Sequence, residues 1–274
     1  MTLSIPETEL REPAVAGRFY PAGADALRRQ VTELLGPAVE PRPALALMGP
    51  HAGYVYSGEI AGATWARVIV PRRVVLMCPN HTGRGVRRSL WPGGGWRLPT
   101  GVVPVDAALV EAIRTRCGAE LDRAAHLHEH ALEVHLPFAQ ARQPELRIAA
   151  LCLAGLSLPE CRELGEGLAE VVRASEEPVL LVASTDMSHY IPADEAAALD
   201  GMALARVQAL DPEGLYDTVR THQISMCGVL PTTVALFAAR ALGATEAELV
   251  RYGNSGERSG DYERVVGYAG MLLR

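Results

Sequence analysis

The chain has 274 residues, of which 49% are hydrophobic and 21% charged, and its formal net charge is -6. That length and balance suit one large domain with a core big enough to need no covalent staple. The acidic excess argues against a general nucleic-acid binder, which needs a basic face for phosphate, and the best basic patch, Arg84, Arg87 and Arg88, reads as a solvated loop.

Five cysteines, at 78, 117, 152, 161 and 227, are odd in number and form no C-x-x-C pair. Neither a disulfide framework nor a structural zinc site is expected, and a reducing, cytoplasmic setting fits best. The first ten residues are polar and acidic, without the apolar stretch of a signal peptide. No apolar run reaches the ~20 residues that a membrane span needs, so no membrane association is expected.

In chain order, strands are expected at Ala44–Met48, Arg73–Met77, Arg147–Leu153, Val179–Ala183, Leu249–Tyr252 and Val265–Leu273. They are rich in Val, Leu and Ala and do not strictly alternate, as strands covered on both faces should not. Helical patterns lie between them, at Glu59–Val68, Ala107–Cys117, Pro159–Ala174, Ala193–Leu210, Pro212–Thr221 and Thr232–Leu242. This alternation predicts a single α/β domain over residues 1–274, with a central, mainly parallel sheet flanked by helices (α/β/α). The stretch Trp91–Pro104 reads as a long loop over the sheet edge.

Three of the strands run into segments that carry histidine: Gly49-Pro50-His51, Cys78-Pro79-Asn80-His81, and Ser184-Thr185-Asp186-Met187-Ser188-His189. Ligands of open α/β sheets bind beyond the carboxyl ends of the strands, so these histidines are candidates for one shared pocket. Pro50 and Pro79 cannot donate to a ladder and should stop their strands. A second constellation crowds His126, His128, Glu129, His130, Glu133 and His135 into one segment. If it is helical from Glu129 on, His130 and Glu133 share a face and form an acid–base pair. His126, His128 and His135 read as solvated surface. Cys227 opens a helical pattern, where the helix dipole lowers a thiol pKa and suits a nucleophile or a metal ligand.

Seven blocks follow one another along the chain: REPAVAGRFYP (residues 11–21), PHAGY (50–54), CPNH (78–81), EHALEVHLPF (129–138), STDMSHY (184–190), CGVLP (227–231) and YGNS (252–255). Together they resemble the Memo family, whose prokaryotic members are called AmmeMemoRadiSam system protein B. The resemblance implies a fold like the catalytic subunit of class III extradiol dioxygenases, which are non-haem iron enzymes. It implies a mononuclear iron (Fe²⁺) or copper pocket with ligands at His51, His81 and Cys227, zinc being an adventitious occupant. Asp186, His189, His130 and Glu133 then stand as the catalytic candidates, and Tyr54, Glu129, Tyr252 and Asn254 as binding residues. Two departures stand out: Ala131 where serine is usual, and Cys78-Pro79-Asn80 where Gly-Pro-Ser is common.

Two histidines and a thiolate resemble the 2-His-1-carboxylate triad of oxygen-activating iron, made softer by sulfur. The leading expectation is a metal-dependent redox, dioxygenase-like enzyme acting on an unknown small molecule. The alternative is a non-catalytic binding or signalling protein that uses the same pocket for a peptide or small ligand, since eukaryotic relatives are described as binding phosphotyrosine peptides. The prokaryotic family name implies AMMECR-type and radical-SAM partner proteins. A cysteine-nucleophile hydrolase built on Cys227 is a further, weaker reading.

Overall fold

The computed structural model describes residues 9–274. Its first half runs β1 (Leu10–Arg11), α1 (Ala24–Leu35), β2 (Ala46–Gly49), α2 (Tyr54–Ala66), β3 (Arg73–Pro79), β4 (Arg88–Leu90), β5 (Gly95–Leu98), β6 (Gly101–Pro104), α3 (Ala107–Cys117), β7 (Glu120–Leu121) and α4 (Leu136–Arg142). The second half runs β8 (Arg147–Leu153), α5 (Leu158–Ala174), β9 (Val179–Ser184), β10 (His189–Ile191), α6 (Ala193–Gln208), α7 (Pro212–Thr221), α8 (Val229–Leu242), β11 (Ala247–Asn254), α9 (Gly256–Ser259) and β12 (Val265–Leu273).

The apolar runs form the centre of a large sheet in which β2, β9, β3 and β8 lie side by side and parallel. Successive residues of β3 serve different cores: Val75 and Met77 face one, Val74, Leu76 and Cys78 the other. Both faces are therefore apolar, which is why the sequence does not alternate. Helices α3, α5, α6, α7 and α8 cover the first face, and α1, α2 and α4 the second, together with the small sheet β1-β5-β6.

Around this parallel centre the sheet as a whole is mixed. Strands β12 and β4 add antiparallel at its two sides, and β11 and β10 pair antiparallel with β12. Between β11 and β12 the short α9 is too brief to serve as a crossover, so those strands form a hairpin-like pair, which must be antiparallel. The stretch 91–104 is not a loop. It holds the β5–β6 hairpin, whose Trp96, Leu98 and Val103 are buried against the second core. Short strands with a single buried face give too brief a pattern to register against Pro and Gly.

The parallel centre matters for function. Strands β2, β3 and β9 end on the same edge, with Gly49 beside Ser184 and Met77 beside Ala183. The residues that follow each strand are delivered to one place.

Candidate metal centre

Strand β2 stops at Gly49 and Pro50, and the next residue, His51, is only 2% exposed. Its backbone N–H donates to Asp186 Oδ1 (2.8 Å), and its ring Nδ1 meets Ser184 Oγ (2.7 Å), both partners lying at the end of β9. Beyond β3, Asn80 holds a tight turn by accepting from Thr82 N–H and Gly83 N–H. This sets His81 against Glu129, whose carboxylate accepts the His81 backbone N–H (2.7 Å), the ring Nδ1–H (2.9 Å) and the Ala131 N–H (3.0 Å).

His51, His81 and His130 each place one ligand nitrogen so that all three lie within 4.8 Å of one another. Their ring centroids are 5.0–5.4 Å apart. Nδ1 of His51 is committed to Ser184 and Nδ1 of His81 to Glu129. Nε2 of each ring is thereby left for the cluster, the arrangement in which an outer partner orients a metal-binding imidazole. The donor set fits a first-row divalent ion.

The charges agree with this. Burial, and then the neighbouring histidines, hold His51 well below the usual imidazole range, so it is a neutral donor. Burial likewise lowers His130. For His81 burial acts in the same sense, but the bond to Glu129 and the charges of Glu129 and Asp186 outweigh it and raise its pKa. Burial opposes the charge on Glu129, yet the His81 bond and charge and the backbone N–H donors still pull its pKa down.

Cys227 Sγ lies 3.3 Å from His51 Nε2 and accepts the Asp186 N–H at 3.2 Å. Gly228 allows this approach: a Cβ there would sit 2.3 Å from Ser184 O and from Thr185 Cβ. Gly228→Ala is therefore expected to push Cys227 away from His51 and to destabilise the fold by about 1–3 kcal/mol, readable in urea unfolding. An unchanged midpoint would show that the α8 entry can shift freely. The thiol itself is not activated by the helix N-terminus. Burial first, then the Asp186 charge, push its pKa well up. The distance suits a Cys–His dyad, but the protonated thiol makes the hydrolase reading weaker still, and as a ligand Cys227 would release its proton on binding.

Asp186 sits behind His51, its carboxyl pushed up to about 6 by burial against the His51 and Ala52 N–H bonds and the charges of His189 and His81. His189 donates Nδ1–H to Ser225 O (2.9 Å), because a carbonyl can only accept, which sets the tautomer of the neutral ring with its lone pair on Nε2. Both line a cavity of about 610 Å³ that opens from the three-histidine cluster. Phe19, Tyr56, Tyr190 and Tyr268 line it as well, and so do Arg18 and Arg264.

Several of the expected site residues are placed elsewhere. Residues 129–135 are not one helix: a turn leads into a 3-10 segment, Glu133–His135, before α4. His130 joins the cluster, whereas Glu133 points the other way. It accepts from Arg11, Ala14 N–H (2.8 Å), Val15 N–H (3.1 Å) and Tyr20 Oη (2.5 Å), as the buried clamp of the 11–20 segment. Tyr54 donates to Val134 O, Tyr252 to Asp200, and Asn254 accepts from Gly256 N–H. With Glu129 and Glu133, these three residues are not among the cavity's lining.

His126 and His135 are buried, at 0% and 1% exposure, and only His128 is exposed. His126 packs between Trp91 and Trp96, and burial pushes its pKa down to about 4. The usual serine at 131 is not needed to join the network, since the Ala131 backbone donates to Glu129 and accepts from Ser184. The arginine patch is largely neutralised, Arg87 pairing with Glu160 and Arg88 with Glu163.

Sequence reasoning missed Ser184, His135, Phe19, Tyr56, Arg264 and Tyr268. Ser184 and Phe19 lay inside recognisable blocks. Arg264 and Tyr268 carry no local signal, and reach the cavity only because β12 pairs with β10.

An α/β domain with a histidine cluster at the carboxyl ends of its parallel strands, open to one cleft, defines a class of candidate metalloproteins. The Memo family model, described as Memo-like protein, matches residues 11–272. A MEMO1 family protein of Aquifex aeolicus is 42% identical over 269 residues, covering 96% of this chain and 99% of that one. MEMO1 family proteins of Methanopyrus kandleri and Methanothermobacter thermautotrophicus are 39% and 38% identical, each over at least 95% of this chain and 99% of their own. The chain belongs to the Memo family. Among solved structures, uncharacterized protein JW3007 from Escherichia coli K12 is similar at a TM-score of 0.55 and 16% identity, covering 83% of this chain and 98% of that one, which supports the fold alone. Among the described residues, no helix is long and apolar enough to cross a membrane.

Proposed function

We propose that this chain is a metal-dependent redox enzyme of the dioxygenase-like kind, holding one iron or copper ion between His51, His81 and His130, with Cys227 beside His51. The observation that carries the reading is the convergence of three imidazole nitrogens within 4.8 Å, two of them oriented by outer partners. When bound, such an ion supplies Lewis acidity and a site for oxygen chemistry. The chain's own residues do the rest. Phe19, Tyr56 and Tyr268 offer aromatic walls for a small planar substrate. With its Nδ1–H given to Ser225 O, neutral His189 has Nε2 as the atom that would take a proton from that substrate. Asp186 fixes the His51 backbone and, with a pKa near 6, adds a second group able to hold a proton near neutrality.

The test is metal content after anaerobic purification, for wild type beside His51→Ala, His130→Ala and Cys227→Ala. Near-stoichiometric iron or copper in the wild type, lost in His51→Ala, is expected. Loss in His130→Ala with retention in Cys227→Ala would assign the three-histidine set, and the reverse would assign sulfur. A wild type that takes up no metal even on reconstitution would overturn the reading.

A second reading is favoured by the cavity's lining, which combines Arg18 and Arg264 with aromatic side chains. The same cleft then serves as a non-catalytic site for an anionic peptide or small ligand. Stoichiometric metal without oxygen consumption on any phenolic compound, together with phosphopeptide binding lost in Arg264→Ala, would support it.

A further inference from the structure

We propose that Tyr268 is a catalytic residue of the cleft, whose hydroxyl donates a hydrogen bond to the substrate oxygen from which His189 takes a proton. The role of His189 rests on the function proposed above; the free hydroxyl belongs to the chain alone.

A buried tyrosine normally spends its hydroxyl proton inside the protein. Tyr20 donates to Glu133 (2.5 Å), Tyr54 to Val134 O (2.7 Å), Tyr216 to Leu156 O (3.1 Å) and Tyr252 to Asp200 (2.8 Å). Tyr268 is more buried than any of these, at 2% exposure. Yet its hydroxyl has no hydrogen-bond partner among the described residues. Nor is it sealed in the interior, as the hydroxyls of Ser188, Thr232 and Thr233 are. The ring joins neither of the two apolar cores and lines the cavity instead. The hydroxyl therefore opens on the cavity, and its acceptor has to come from what binds there. Burial, and then the charge of Asp186, push its pKa well up, so near neutrality the phenol keeps its proton and can only be a donor or a neutral acceptor.

The sheet brings this donor to His189. His189 on β10 pairs with Val266 on β12, and Tyr268 follows two positions later. Residues two apart in a strand share a face, as do residues opposite each other across an antiparallel pair. His189, Val266 and Tyr268 thus point the same way, and all three line the cavity. His189 and Tyr268 are diagonal neighbours, about 7–8 Å apart along the backbone.

An oxygen held between the two side chains accepts from Tyr268 while it gives its proton to His189 Nε2. The substrate O–H bond breaks and an N–H bond forms. The oxygen keeps the electron pair, and the intact Tyr268 O–H holds the new negative charge by a charge-assisted bond. This suits a hydroxyl on an aromatic ring, in a cavity that Phe19 and Tyr56 also line. The cavity's carboxylates, Asp186 and Asp261, are matched there by Arg18 and Arg264, so net charge does not exclude such an anion.

The experiment uses the full chain freed of metal by chelation. The probe is 4-nitrophenol at a pH where it is ionised, followed by its absorbance, and 4-nitrotoluene has the same ring without the oxygen. Tyr268→Phe is expected to weaken phenolate binding about 10–100-fold and to leave 4-nitrotoluene within about twofold. Its urea midpoint is expected to match or exceed that of wild type, because the lost hydroxyl had no partner. Tyr54→Phe, which loses the bond to Val134 O, is expected to lower the midpoint. Equal phenolate binding by Tyr268→Phe overturns the proposal. So does a wild type that binds 4-nitrophenolate no better than 4-nitrotoluene, and so does a Tyr268→Phe destabilised as Tyr54→Phe is, which would make the hydroxyl structural. The two readings fail separately. A chain that shows the Tyr268 contrast but takes up no iron or copper sinks the metal centre and leaves this donor standing, and metal uptake without the contrast does the reverse.

Discussion

Glu133→Ala is expected to lower the unfolding free energy by about 3–5 kcal/mol, the range seen when one partner of a buried ion pair is removed. Arg11 and Glu133 form a salt bridge at 1% and 0% side-chain exposure. Arg11 also donates to His126 O and Glu129 O, and its guanidinium lies 4.3 Å from the Trp96 ring centroid. Removing the carboxylate leaves that cation buried and uncompensated. It also strips the acceptor from Ala14 N–H, Val15 N–H and Tyr20 Oη. The loss spreads to the centre, since Arg11 ties down the carbonyl of Glu129, the residue that orients His81. Urea unfolding of the metal-free protein measures it. The double replacement Arg11→Met/Glu133→Leu is expected to cost much less, because no charge is then left unpaired. A drop below about 1 kcal/mol for Glu133→Ala would show that the clamp does not anchor the 11–20 segment.

The second large effect has the opposite sign. Asp186→Asn is expected to stabilise the metal-free protein above pH 6, by on the order of 3 kcal/mol. In the fold the Asp186 carboxyl is pushed up to about 6, chiefly by burial, against about 3.9 for an unfolded aspartate. Between those values the native state holds a proton that the unfolded state has released. Stability therefore falls as pH rises through the window, and the whole cost of the buried charge is present above it. Asparagine keeps the acceptor for the His51 N–H and removes the titration. The difference between variant and wild type should be near zero at pH 4 and grow to its full size by pH 7. His126 and His135, whose pKa values burial lowers away from Asp186, weaken both proteins alike as pH falls and so drop out of the comparison. A difference independent of pH, or a variant less stable at pH 7.5, would refute this. The carboxylate would then be a group that the site retains at a cost to the fold, as charged functional groups often are.

How far the site was legible follows from where its residues lie. His51, His81 and His189 were readable because each follows an apolar run, and two of those runs end in proline. The strand-end rule then needs no tertiary information. Cys227 was readable by position beside them, but its ionisation was not. The helix N-terminus argued for a lowered pKa, and burial beside Asp186 raised it. His130 and Glu133 were read as partners on one helix face. The segment 126–135 is instead shaped by residues more than a hundred positions away, Arg11 and Tyr20 among them, which draw Glu133 to one side while Glu129 faces His81 on the other. His126 and His135 read as surface for the same reason. Nothing near them in the chain announces the tryptophans they pack against, Trp91, Trp96 and Trp65.

The sequence by itself determined the α/β class, the doubly buried strands β2, β3, β8 and β9, and the strand ends at which reactive side chains collect. Apolar periodicity and proline are local, and local physics suffices for them. The tertiary structure alone decided that β12 and β4 run antiparallel to that centre and that His130 stands with His51 and His81. It also decided that Glu133 braces the N-terminal segment instead of facing a substrate. Those outcomes depend on hydrogen bonds and ion pairs between distant residues, which pair only once the chain has closed around them.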